Sequence, residues 1–153
     1  MLFCKEIYWT GVCNPLRMKH LEVVAGIIEF SGKILCLQKS AGKYDYISYR
    51  FEFPGGKVEP GESNCQALMR ELNEELAMDI NIQEQDFYMT VHHSYPDFEI
   101  TLHSFLCRVN DGNFTLKEHK SFVWLKKMDL LRVDWAAADL PIVKKLMEDI
   151  ACV

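Results

Sequence analysis

Two apolar blocks dominate the pattern after residue 20. LEVVAGIIEF (21–30) and KILCLQ (33–38) have strand-like composition, and the Ser31-Gly32 pair between them is a two-residue turn signal, so they predict a β-hairpin. Residues 40–48 (SAGKYDYIS) read as a loop, and YRFEF (49–53) as a short strand running into a Pro54-Gly55-Gly56 turn. Further strands are predicted near 81–93, 99–109 and 121–125, with Asn110-Asp111-Gly112 as a turn. Leu140, Val143, Leu146, Met147 and Ile150 recur at helical spacing, with Asp139 as N-cap and Pro141 in the first turn. The order strands, helix, strands, helix predicts an α+β domain whose sheet lies between helices.

The first helix carries the most information. Ser63 followed by Gln66 is a capping-box pattern that starts it at residue 64. Stepping about 100° per residue gathers Cys65, Leu68, Met69, Leu72 and Leu76 into one apolar stripe. Glu71, Glu74 and Glu75 fall on a different face, with the small Ala67 among them. A solvated acidic face normally places Lys or Arg four residues after Glu. Here Glu71 is followed at that spacing by Glu75, and Glu75 by Asp79; Arg70 with Glu74 is the compensating pair. Oxygen ligands without His or Cys beside them suit Mg²⁺ or Mn²⁺. Gly55-Gly56 just upstream lets backbone approach a ligand closely and could offer a carbonyl to the same cation. Carboxylates beside an open glycine loop suit phosphate chemistry, since Mg²⁺ is commonly shared with substrate phosphates.

Charge sharpens this picture. Residues 52–78 hold six acids against two bases and so carry four of the five net negative charges of the 153-residue chain. The remainder is nearly neutral, which argues against a binder of nucleic-acid polymers or anionic membranes. The six cysteines (Cys4, Cys13, Cys36, Cys65, Cys107, Cys152) form no CxxC pair, so reduced thiols are expected. The N-terminus has no signal-peptide pattern, and the run Val23 to Ile28 is too short to cross a bilayer, so a cytoplasmic protein is expected. Length fits one domain over 19–153, preceded by an extension, residues 1–18, of unknown role.

Gly56, Glu62 and the run Arg70-Glu71-Leu72-Asn73-Glu74-Glu75 resemble the Nudix box, G-x5-E-x7-R-E-U-x-E-E-x-G-U with U aliphatic. Of its seven fixed positions six are met; Ala77 stands where the family has glycine. The likeness covers about 21–147 and is greatest to the MutT-like and CTP-pyrophosphohydrolase-like branch. It implies a Nudix α/β/α sandwich with a mixed sheet between helices. It also implies Mg²⁺-dependent hydrolysis of a nucleoside triphosphate to the monophosphate and pyrophosphate, by a monomer or homodimer.

By that resemblance Glu71, Glu74 and Glu75 are metal ligands assisted by the Gly55 carbonyl. Arg70 holds the helix carboxylates, and Glu62 braces the loop. Glu118, six residues before Trp124, matches a carboxylate that binds a second metal or acts as base. Lys57 and Lys39 are phosphate-contact candidates. The base is expected among Leu21, Val23, Ala25, Phe53, Phe98 and Ile100. Asp139 stands where 8-oxoguanine-preferring members have asparagine and CTP-pyrophosphohydrolase-like members have aspartate. An ionised Asp accepts from cytosine N4; a protonated one donates to a carbonyl, which keeps oxidised purines open. His119, beside Glu118, falls near the site without an assignable role. Two alternatives stand beside a (d)NTP pyrophosphohydrolase: a Nudix hydrolase of ADP-ribose or a nucleotide sugar, and a non-catalytic nucleotide sensor.

Overall fold

The computed structural model describes residues 18–151. The expected N-terminal extension therefore lies, Met18 apart, outside the described residues. Seven strands and two helices follow in chain order: β1 (Lys19–Phe30), β2 (Lys33–Gln38), β3 (Phe51–Glu52), β4 (Gly55–Lys57), α1 (Asn64–Leu76), β5 (Phe87–Ser94), β6 (Phe98–Arg108), β7 (Ser121–Lys126) and α2 (Leu140–Ala151).

All seven strands join one mixed sheet. β1 runs parallel to β6 along nearly its whole length, from Lys19 opposite Phe98 to Glu29 opposite Arg108. Its other edge has two partners. Glu29 and Phe30 pair with β2 through a tight turn in which Ser31 and Gly32 both take left-handed φ, 51° and 75°. Val23 to Ala25 pair instead with β4. The sheet therefore forks along this edge of β1, and the site is built at the fork.

The core has two layers. Val24, Ile28, Leu35, Leu37 and Phe105 pack against Leu68, Leu72 and Leu76 of α1. Ala25, Ile27, Ile34, Cys36 and Leu102 pack against Ile142, Val143 and Leu146 of α2. The middle of β1 is covered on both faces, which is why its sequence reads as a continuous apolar run rather than an alternating one. The result is the α+β sandwich that the order of elements predicts.

Several local expectations needed tertiary information. The strand expected from residue 81 begins at Phe87, after a 3₁₀ turn at Glu84–Asp86. YRFEF supplies a two-residue strand, because Tyr49 sits at φ 60°. Gly55 and Gly56, expected within the Pro54-Gly55-Gly56 turn, belong instead to a strand, Gly55–Lys57, that continues the sheet. A second 3₁₀ segment, Lys127–Arg132, fills the space before α2. On α1 the stripe is shifted: Met69 is half-buried while Ala67 and Glu75 are buried.

Candidate active site

α1 begins where its capping box places it. Ser63 Oγ accepts from the Gln66 amide at 3.1 Å, and Gln66 Oε1 accepts from the Ser63 amide at 2.9 Å. At the other end Ala77 occupies the left-handed cap position at φ 53°, ψ 33°. Between the caps, the Ala67, Glu71, Glu75 row crosses the two glycines. A Cβ at Gly56 would lie 2.5 and 2.6 Å from the Glu71 carboxylate oxygens, and one at Gly55 would collide with the Val24 carbonyl. Neither position tolerates a side chain, because helix, β4 and β1 meet there. The Gly55 amide donates to Glu75 Oε2 at 3.2 Å.

Arg70 ties the helix to the preceding loop. Its Nε and Nη2 donate to the two oxygens of Glu62 at 3.1 and 2.6 Å, and Nη2 also donates to the Lys57 carbonyl at 3.0 Å. Its Nη1 donates to Glu71 at 2.9 Å and Glu74 at 3.3 Å. Glu62 accepts in addition from the Glu59 amide at 2.7 Å. The bidentate grip holds the Glu62 carboxyl below its ordinary range.

The helix glutamates divide by environment. Burial pushes Glu75 up to about 8, with the charges of Glu52, Glu71 and Glu118 adding to it. Burial also raises Glu71, with Glu74 and Glu118 contributing and Arg70 opposing. Glu74 is half exposed on its Arg70 pair, and Glu118 is exposed. Crowded carboxylate oxygens that resist ionisation suit a hard divalent cation, whose charge would reverse these shifts. As the side chains stand, no three His, Cys, Asp or Glu groups among the described residues converge on one point. Arg70 holds Glu71 and Glu74 instead, so a cation competes with a guanidinium for those oxygens.

Glu71, Glu75 and Gly55 open into a cavity of about 480 Å³ that runs to the opposite layer of the molecule. Every residue expected around the base lines it: Leu21, Val23, Ala25, Phe53, Phe98, Ile100 and Asp139. Lys39 and Lys57 line it too, whereas Glu74, Glu118, Arg70 and Glu62 do not. Asp139 departs from expectation. Its carbonyl accepts from the first amides of α2, but its carboxylate turns away from the helix and accepts from the Phe53 amide at 3.1 Å. It is therefore not a side-chain cap. Burial, with the Glu52 charge adding, pushes it up to about 8.

Sequence reasoning missed Glu52, Tyr44, Ile47 and Tyr95, which share this cavity. Tyr44 and Ile47 come from the loop read as structureless. Tyr95 Oη accepts from the Ala138 amide at 2.9 Å and so fixes the segment carrying Asp139. Glu52 stood in the acidic stretch, but nothing local aims it into the cavity.

A model of the NUDIX domain matches residues 18–146. The chain is 41% identical over 132 residues to a CTP pyrophosphohydrolase of Escherichia coli (strain K12), covering 85% of this chain and 93% of that protein. It is 32% identical over 129 residues to an 8-oxo-dGTP diphosphatase of the same organism, covering 84% and 98%. Among solved structures, that of the E. coli ORF135 protein superposes with a TM-score of 0.74 at 37% identity, over 88% of this chain and 94% of that one.

Proposed function

The chain belongs to the Nudix family, and from that premise we propose that it is a Mg²⁺-dependent pyrophosphohydrolase acting on a (d)NTP, either a cytidine nucleotide or one with an oxidised purine such as 8-oxoguanine. The observation that carries the reading is that one cavity has Glu71 and Glu75 at one end and Asp139 at the other. A nucleoside triphosphate has the same polarity, anionic at one end and a hydrogen-bonding edge at the other.

Glu71, Glu74, Glu75 and Glu118, with the Gly55 carbonyl, would hold the cation; Mn²⁺ suits the same oxygens. Bound Mg²⁺ supplies the positive charge that lets a polyphosphate enter an acidic site. Lys57 and Lys39 meet the phosphate chain from the cavity wall. Arg70, gripped by Glu62, aligns the helix carboxylates, and Glu118 or a helix glutamate takes the proton of the attacking water. Attack in line then releases pyrophosphate, with the rate coming from positioning and electrostatics.

The test is a panel of canonical-base, methylated and oxidised (d)NTPs, scored for pyrophosphate against phosphate. Pyrophosphate release that stops in EDTA and returns with Mg²⁺ is expected. Undiminished turnover in EDTA, or phosphate as the product, overturns the proposal.

A further inference from the structure

Glu52 is close enough to both ends of the cavity for its charge to act on each, Glu75 at one and Asp139 at the other. It lines the cavity with these two and Glu71. A nucleotide that spans the cavity as proposed above carries its sugar past this point.

The Glu52 carboxylate has two nitrogen neighbours, His119 and Lys39. His119 Nε2 lies 2.9 Å from Oε1, and the Lys39 ammonium 3.6 Å from Oε2. The His119 side chain is only 6% exposed, and its Nδ1 is buried without a hydrogen-bond partner among the described residues. Leaving a buried polar atom unpaired is destabilising, so as simple filling a leucine would serve this shell better. Among the described residues, the hydrogen bond of the ring goes to Glu52. With a carboxylate as partner, Nε2 is the protonated nitrogen and the donor.

We infer that Glu52 is a specificity-determining acceptor for a sugar hydroxyl of the bound nucleotide, and that His119 is the positioning residue that aims it. The chemistry matches: ribose hydroxyls are donors, and each oxygen of Glu52 keeps acceptor capacity beyond its present partner. The inference rests on the proposed nucleoside triphosphate reading.

Steady-state kinetics with Mg²⁺ on the ribo, 2′-deoxy and 3′-deoxy triphosphates of one accepted base tests it. In the wild type, loss of the contacted hydroxyl lowers kcat/KM about 10- to 100-fold. Glu52→Met, which removes both acceptor oxygens, and His119→Leu shrink that penalty to a few-fold at most, while His119→Gln, which keeps a donor near the Nε2 position, restores most of it. His119→Leu melts at or above the wild-type temperature, since the orphaned nitrogen is gone. A wild type indifferent to both hydroxyls overturns the inference, as does a full penalty kept by Glu52→Met or His119→Leu. Equal loss on all three substrates also overturns it, because that marks a role outside sugar recognition. If no triphosphate yields pyrophosphate at all, the proposed function itself falls, and this inference with it.

Discussion

Replacing Glu75 with glutamine should make the protein more stable while stopping turnover. Glu75 titrates at about 8 instead of near 4.5, chiefly because it is buried. For an acid whose folded pKa is raised, the cost is absent below the unfolded pKa, grows as pH rises above it, and levels off past the folded pKa. At pH 7 the unfolded chain has released this proton and the folded one has kept it, over a gap of about 2.5 pH units, which corresponds to about 3 kcal/mol. Residual hydration lowers the net gain from Glu75→Gln to about 1–3 kcal/mol, or about 2–10 °C in Tm for a chain of this size. Glutamine keeps the shape and still accepts from the Gly55 amide. Thermal melts in EDTA at pH 7 and pH 5 check this. The variant should melt higher at pH 7, and the gain should fall below about 1 kcal/mol at pH 5, which lies only about half a pH unit above the unfolded pKa. Mg²⁺ should raise the wild-type Tm more than the variant's. A variant no more stable than wild type at pH 7, or a gain equal at both pH values, refutes the account of Glu75 as a buried, repelled carboxylate.

Base choice should depend on pH through Asp139. It titrates at about 8, so below that pH it carries a proton that it can donate to a base carbonyl, and above it only accepts. Between about pH 7 and about pH 9 the kcat/KM ratio should move toward bases that present an amino donor, and Asp139→Asn should abolish that movement; a pH-independent ratio in the wild type counts against it. Ala77→Gly should raise Tm by a few degrees without changing turnover, since alanine at φ 53° carries a strain of about 1 kcal/mol that glycine lacks. A lower Tm for Ala77→Gly would place the limiting strain elsewhere.

Much of this protein is legible from local pattern. The Ser31-Gly32 hairpin, the Ser63 and Gln66 capping box and the apolar stripe of α1 depend on neighbours within a few residues, and such signals survive in one dimension. The box glutamates also stand out, because acids stacked four apart without bases mark an unbalanced charge wherever the helix lies. Tertiary structure decided what those groups face. Gly55–Lys57 became a strand only because β1 forks and offers it an edge, and that pairing presses Gly56 onto Glu71 and buries Glu75. Asp139 reads as a helix cap until β3 brings the Phe53 amide to it from 86 residues away in sequence. Glu52 and His119, 67 residues apart, carry no local signal of their partnership. Periodicity states which side of an element is apolar. The register of distant strands states which carboxylate lies buried, beside which neighbour, and at which end of the cavity.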